Sequence, residues 1–266
     1  MEPGSYGRPL LRNLTSFLSF TVGNHFYEVP FRFEERLKNT HFYSLEMCLQ
    51  LSIREFFKTK RYILLLFIAI AFLVFKGLNF VPLWADEADV VIFGRSILQF
   101  GVPKAFDGLN WVHAGHTALQ TADTTWIYHP WLPHYLTALC LLLFKGSIPA
   151  VKIVFAFLGL CSFFFFYKSA KIISNKSSFV LLFLTLLFLN ASFLVYLRQL
   201  RYYPLNILFT SILFFCYLSY LKGEKYYLLG GISTVLFFFS NYLSCLSFVF
   251  SIVLYHIFIL RWGKKV

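Results

Sequence analysis

The feature that constrains this chain most is a series of apolar runs, each about as long as a membrane is thick. Five runs follow residue 61, and they cover Tyr62 to Leu83, Ile148 to Tyr167, Phe179 to Leu197, Pro204 to Leu221 and Tyr226 to Leu260. A helix needs about 20 apolar residues to cross the hydrocarbon core. The last run is long enough for two helices joined near Asn241, so the pattern predicts six spans.

Composition indicates a membrane protein rather than a soluble one. Hydrophobic residues make up 58% of the chain and charged residues 14%, with a mean hydropathy of +0.67, whereas soluble domains carry about 25% charged residues. A net charge of +12 would suggest nucleic-acid binding in a soluble protein. Here Lys and Arg cluster between the apolar runs, as they do in cytoplasmic loops. The sequence therefore predicts an all-α polytopic membrane protein with no nucleic-acid partner.

The basic clusters also orient the chain. Nine Lys and Arg residues precede the first run, so we expect residues 1–61 to form a cytoplasmic extension. The membrane module then covers 62–260, and 261–266 form a cytoplasmic tail. The apolar stretch Pro133 to Phe144 is short for a span. If it does not cross, the later basic clusters at residues 168–176, 222–225 and 261–265 are cytoplasmic, and Lys145 and Lys152 are the exceptions on the outer side. The pattern predicts both termini inside and a long, helical first outer loop over residues 84–148.

That outer loop contains most of the polar chemistry. After residue 62 the chain has only six carboxylates, and three of them, Asp86, Glu87 and Asp89, follow the first run directly. Because carboxylates are costly to bury in lipid, this cluster is either a solvated helix cap or a site, and the two readings are compatible. In a helix that begins near Asp86, Asp89 lies on the same face and Glu87 is turned away by about 100°.

Carboxylates and arginines on one membrane face suggest group transfer from a phosphate leaving group. A positioned carboxylate can accept the proton of a hydroxyl nucleophile, a role open to Asp86 or Glu87. Arginine binds phosphate with bidentate geometry, and Arg198 and Arg201 stand in the next outer turn. The alternative is that these two arginines are interfacial anchors.

Histidines suggest a second chemistry for the loop. Four of them lie there: His113, His116, His129 and His134. His113 and His116 are three residues apart, and Asp107 and Asp123 are near in sequence, so a divalent metal is the one cofactor the loop suggests. The spacing matches no strong metal motif, and the alternative is solvated or hydrogen-bonded loop histidines.

Four motifs in order resemble a known family. They read W-A-D-E-A-D-V-V-I-F-G-R-S-I-L-Q-F-G-V-P (84–103), Y-H-P-W-L-P-H-Y-L-T-A-L (128–139), L-R-Q-L-R-Y-Y-P-L-N-I-L-F (197–209) and F-S-N-Y-L (239–243). Together they resemble the N-terminal membrane module of the GT-C glycosyltransferases over residues 62–260. The nearest subgroup is that of the dolichyl-phosphate-mannose protein mannosyltransferases (glycosyltransferase family 39) and the aminoarabinose transferase.

The resemblance implies a GT-C-like transmembrane helix bundle that takes sugar from a polyprenyl-phosphate donor. The acceptor would be a lipid, glycan or protein hydroxyl on the outer face of a bacterial inner (plasma) membrane, or of the endoplasmic reticulum in a eukaryote. Asp86 corresponds to the catalytic acid, with Glu87 as its neighbour, and Arg201 and Tyr202 correspond to the donor-phosphate turn. Substrate-positioning roles are expected for four further residues: Asp89, Arg95, His129 and His134.

Two departures from the family qualify this expectation. The turn from Arg198 to Asn206 has no second carboxylate, and family members continue for several more helices beyond the point that corresponds to Val266. The chain would then be a fragment, one half of a split enzyme with a C-terminal partner chain, or an inactive remnant. A transporter or lipid flippase and a non-catalytic membrane subunit are the alternatives to a glycosyltransferase.

Overall fold

A computed structural model describes residues 60–80, 82–112 and 120–261, which belong to one compact unit, residues 52–266. Regular structure in these ranges is helical, and no strand occurs in them. In chain order the helices are α1 (Lys60–Phe75), α2 (Ala85–Phe100), α3 (Leu132–Leu143), α4 (Ile148–Ile173), α5 (Ser177–Phe188), α6 (Ala191–Arg198), α7 (Tyr202–Leu221), α8 (Tyr227–Ser240), α9 (Tyr242–Leu254) and a π-helical segment (Tyr255–Arg261). The extension predicted over residues 1–61 lies outside the described residues except for its last two.

Two of these helices are long and apolar enough to cross a membrane. They are α4, with 26 residues, and α7, with 20 residues, and a third span results if α5 and α6 are counted together. Helices α1, α3, α8 and α9 have 16, 12, 14 and 13 residues, below the ~20 that a perpendicular span needs. Membrane association through two apolar helices is therefore supported, and the six-span topology stays a prediction.

Two of the predicted runs are interrupted. The first run was expected to be helical to Leu83, but α1 ends at Phe75 and a turn follows, in which Gly77 has a left-handed φ of +69°. The run from Phe179 to Leu197 is not one helix, because α5 and α6 meet at an angle of 65°. Asn190 explains the break, since its side chain accepts a hydrogen bond from the backbone N–H of Phe193 and begins a new helix.

The segment predicted to form the outer loop contains a helical hairpin, α2 and α3, and the described residues between these helices, 101–112 and 120–131, are irregular. Helices α2 and α3 lie against each other so closely that a Cβ on Gly94 would stand 2.6 Å from the Thr137 methyl carbon and 3.2 Å from the Ala138 backbone nitrogen. The hydroxyl of Tyr135 donates to the carbonyl of Gly101, which ends α2 in the left-handed conformation. Thus α3 is the short helix that the sequence predicted from Pro133 to Phe144, and its position on the outer side stays a prediction.

The long helices α4 and α7 form the centre of the bundle. Phe155 on α4 and Leu205 on α7 are buried in one hydrophobic cluster with residues of α2, α3, α8 and α9. Gly159 allows the turn between α6 and α7 to approach α4, because a Cβ there would lie 2.8 Å from the Leu197 side chain and 3.0 Å from Pro204. This contact brings the arginine-containing turn next to the start of α2.

Close packing of α2 on α3 can be tested at Gly94. We expect Gly94→Ala to lower the free energy of unfolding by about 1–3 kcal/mol, because the new methyl overlaps a buried side chain and a backbone atom. Gly231 on α8 is the matched control, since a Cβ there meets nothing within 4 Å and alanine favours helix by up to ~1 kcal/mol. Thermal unfolding in detergent measures both variants, and equal melting temperatures would contradict the packing.

Candidate active site

The carboxylates in the first turn of α2 lie on two different sides of the helix. Asp86 and Asp89 are one helical turn apart, and both line a cavity at the end of the bundle where α2 begins. Glu87 does not line this cavity, because a rotation of about 100° per residue turns it to another side of the helix. This division was predicted from the sequence, and the structure confirms it.

Glu87 is buried and is held by three groups from different parts of the chain. Its Oε1 accepts a hydrogen bond of 2.8 Å from the backbone N–H of Leu200, and its Oε2 accepts one of 3.0 Å from that of Trp84. The Nζ of Lys152 lies 3.7 Å from Oε2, and both side chains of this ion pair are at least 93% buried. Glu87 therefore joins the start of α2 to α4 and to the turn between α6 and α7.

Arg201 reaches the cavity from that turn. Its Nη1 lies 2.7 Å from Oδ2 of Asp86, and the guanidinium also lies over the rings of Tyr202 and Tyr203, at 5.3 and 5.2 Å. The Asp86 side chain is 47% exposed and the Arg201 side chain 19%. A charge-assisted pair supported by two aromatic faces holds the arginine in a defined direction, while the carboxylate remains open to an incoming group.

The cavity beside this ion pair is partly open and has a volume of about 50 Å³. Besides the charged residues, its wall has aromatic rings, prolines and two histidines: Phe93, Trp126, His129, Pro130, Pro133 and His134. Trp126 stacks on His129 with 9° between the ring planes and donates from Nε1 to His129 Nδ1 at 3.4 Å. The site is therefore charged at its mouth and neutral and aromatic inside.

Both cavity histidines favour the neutral form. Burial lowers the pKa of His129 below 6.5, and the positive charge of Arg201 lowers it further, although the Asp86 carboxylate opposes this. Burial lowers the pKa of His134 to about 3, and His129 adds to this effect. Neither ring nitrogen of His134 has a hydrogen-bond partner among the described residues, and its ring packs on Phe93 at 4.6 Å.

Two arginines predicted for the site lie elsewhere. Arg198 donates to the carbonyls of Leu73 and Lys76 at 3.4 and 2.9 Å, so it binds carbonyl groups at the carboxyl end of α1. Nη1 of Arg95 lies 3.9 Å from Oδ2 of Asp107, and this ion pair connects α2 to the loop that follows it. Neither arginine lines the cavity of Asp86. Of the predicted site residues, the structure brings together Asp86, Asp89, His129, His134, Arg201 and Tyr202.

The loop acids are engaged in turns. Asp107 accepts hydrogen bonds from the backbone N–H groups of Leu109 and Asn110; partial burial would raise its pKa, but these bonds lower it below 3.8. Hydrogen bonds from Thr121 and Thr125 lower the pKa of Asp123 to about 2. Neither carboxylate lines the cavity.

The metal hypothesis gains no support from the described part of the chain. Within residues 60–80, 82–112 and 120–261, no group of three His, Cys, Asp or Glu side chains is arranged to hold a metal ion. His113 and His116, the pair that suggested a metal site in the sequence, lie outside the described residues. The acids placed near them in sequence, Asp107 and Asp123, stabilise turns instead.

Several cavity residues were not predicted from the sequence. Phe93 is one turn beyond Asp89 on α2, Trp126 is three residues before His129, and Ser240 precedes the helix break at Asn241. Helical spacing from Asp89 could have found Phe93, but the approach of α8 to the cavity has no local signal. Lys152, the partner of Glu87, was noted only as a basic residue on the outer side.

Comparison with family models, with curated proteins and with solved structures gives no match for this chain. Its function is therefore inferred from the geometry of the cavity and from the order of its sequence motifs.

The structural role of Glu87 predicts that replacing it costs much more stability than replacing its neighbour Asp86. Removing one partner of a buried ion pair costs about 3–5 kcal/mol, so we expect Glu87→Ala to destabilise the protein strongly. Asp86→Ala removes a half-exposed pair and should cost no more than about 1 kcal/mol. Chemical unfolding in detergent compares the two variants. A similar loss in both would contradict the structural role of Glu87.

The neutral histidines predict that stability falls in acid. Because their folded pKa values lie below 6.5, protons bind the unfolded chain first, so stability is full above pH 6.5 and is lost as pH falls toward 3. We expect the melting temperature to decrease between pH 6.5 and 4.5, and to decrease less in His134→Phe, which cannot take up that proton. The same slope in both proteins would contradict the buried, neutral state of His134.

Proposed function

We propose that this protein is a membrane glycosyltransferase that moves a sugar from a polyprenyl-phosphate donor to an acceptor hydroxyl on the outer face of the membrane. The observation that carries the proposal is the placement of a half-exposed carboxylate, Asp86, and an oriented guanidinium, Arg201, at the mouth of one cavity, 2.7 Å apart. Transfer from a lipid phosphate needs one base and one phosphate-binding cation, and this pair supplies both.

In the proposed reaction Arg201 binds the donor phosphate, with Tyr202 beside it. The acceptor hydroxyl gives its proton to Asp86 as its oxygen attacks the anomeric carbon of the sugar. The bond between that carbon and the phosphate oxygen breaks, and its electron pair leaves with the polyprenyl phosphate, whose negative charge Arg201 stabilises. Attack from the side opposite the phosphate inverts the anomeric centre.

The ion pair sets the order of these events. A phosphate that binds Arg201 with two hydrogen bonds displaces Asp86, and the freed carboxylate then faces the acceptor. The cavity volume of about 50 Å³ has room for a few water molecules and is far below the ~300 Å³ of small-molecule pockets. Separation of Asp86 from Arg201 is therefore the step that admits the sugar.

The position of the cavity suits a lipid-linked donor. Arg201 immediately precedes α7, a candidate membrane span, so its guanidinium lies at the level where an apolar helix begins. A donor whose phosphate is bound there can leave its hydrocarbon chain in the membrane. The basic clusters in the sequence orient this end of α7 outward by the positive-inside rule, toward a bacterial inner membrane's outer face.

A transporter or lipid flippase is the second candidate, and a specific observation favours it. Glu87 and Lys152 form a buried ion pair, and the nearby helices α5 and α6 are broken at 65°. Buried charges and broken helices are common in transport sites. A flippase, however, has no use for a catalytic base, so the two candidates differ in what they require of Asp86.

Asp86→Asn separates the candidates. The assay uses membranes supplied with a radiolabelled polyprenyl-phosphate sugar. We expect the rate of sugar transfer by Asp86→Asn to fall by about 10²- to 10⁴-fold, because a general base contributes that much. The variant should still bind the donor. Glu224→Gln, an exposed carboxylate at the other end of α7, is the matched control and should transfer at the wild-type rate. Transfer by Asp86→Asn at the wild-type rate, or no transfer by the wild type, would contradict the proposal.

A further inference from the structure

The imidazole of His134 is a buried polar group without a partner in the part of the chain that the structure describes. The residue is 4% exposed, lines the same cavity as Asp86 and Arg201, and has no hydrogen bond from either ring nitrogen to the described residues. Buried polar side chains nearly always have a partner. Because the ring lines the cavity, water or a ligand group that enters the cavity can supply this partner.

The chemistry of the ring restricts that ligand group. A neutral imidazole offers one N–H donor and one bare nitrogen acceptor, and the lowered pKa of His134 keeps it neutral. A hydroxyl is matched to such a ring because it can both donate and accept. A phosphate or carboxylate would instead require a cation, and Arg201 already supplies one at the mouth of the cavity.

The walls and size of the cavity point to a carbohydrate. Phe93 packs on the imidazole at 4.6 Å, and Trp126 stacks on His129, so aromatic rings form part of the wall beside His134, and the carbon face of a sugar packs well on such rings. The cavity volume of about 50 Å³ admits the edge of a sugar, meaning one hydroxyl or hydroxymethyl group.

We propose that His134 determines sugar specificity by binding one hydroxyl of the transferred sugar through its free ring nitrogens. This inference rests on the proposed function, because it assigns the interior of that site to the sugar and its mouth to the phosphate. A hydroxyl of the correct sugar then supplies the hydrogen-bond partner that the ring lacks among the described residues. His134 is a binding residue, and Asp86 remains the base.

Binding to donor analogues tests the assignment. The probes are polyprenyl phosphate, polyprenyl-phosphate mannose, its glucosyl and galactosyl counterparts, and the four monodeoxy derivatives of each sugar, measured with the full chain in nanodiscs. In the wild type, one deoxy position should weaken binding by about 10- to 100-fold, the cost of leaving a buried polar group unpaired, and the others should change it little. Polyprenyl phosphate alone should bind all variants equally.

Three variants separate hydrogen bonding from packing. His134→Phe keeps a planar ring and should bind the parent sugar and the critical deoxy analogue equally well. His134→Gln keeps a donor and an acceptor and should retain part of the discrimination. Thr137→Val, one turn along α3 at another buried hydroxyl without a partner among the described residues, should discriminate as the wild type does.

The outcomes distinguish this inference from the proposed function. If the wild type binds the sugar donors more tightly than polyprenyl phosphate, yet His134→Phe shows the same deoxy profile, the role of His134 is overturned and the glycosyltransferase proposal stands. A different result would show that the ring binds the acceptor and that the sugar assignment is wrong. In that result the wild type distinguishes an acceptor from its deoxy analogue, and His134→Phe does not. If neither polyprenyl phosphate nor any donor binds the wild type, both proposals fail.

Discussion

The buried carboxylate of Glu87 is the interaction on which the rest of the site depends. Its two oxygens accept hydrogen bonds from the backbone of Trp84 and Leu200 and face the ammonium of Lys152. These groups belong to the start of α2, the turn before α7, and α4. Because a buried charge is tolerated only when its partners are in place, the three segments have one relative arrangement. Asp86 belongs to α2 and Arg201 belongs to the turn before α7, and Glu87 fixes the positions of both segments. The contact between Asp86 and Arg201 at the cavity mouth is therefore a consequence of the burial of Glu87.

The cavity combines two environments that suit two parts of one ligand. Its mouth is charged and partly solvated, where Asp86 and Arg201 can exchange partners at modest energetic cost. Its interior is lined by Phe93, Trp126 and neutral histidines, where an unpaired hydrogen-bonding group is costly. In the proposed function, charge therefore determines whether a ligand binds at the mouth, and hydrogen bonding inside discriminates between similar ligands.

Much of the local structure could be predicted from the sequence, but its long-range pairing could not. Helical periodicity correctly placed Asp86 and Asp89 on one face and Glu87 on another, and the short helix after Pro133 and the break at Asn241 were found from length and composition. Glu87 and Lys152 are 65 residues apart in the sequence, and no local sequence pattern predicts their contact. The 65° break before α6 was also missed, because a single Asn cap within an apolar run is a weak signal. Arg198 and Arg201 look alike in sequence, and only the packing of α1 assigns them different partners.

The ion pair at the cavity mouth also affects which anions reach Arg201. A guanidinium already neutralised by a carboxylate attracts free phosphate in solution only weakly, since dissolved anions must compete with a partner that never diffuses away. A lipid anion confined to the membrane surface has a far higher effective concentration near α7 than the same group in solution. Under the proposed function, Asp86 acts as a built-in competitor that weakens the binding of soluble phosphates and nucleotides, and the site favours ligands that arrive by lateral diffusion.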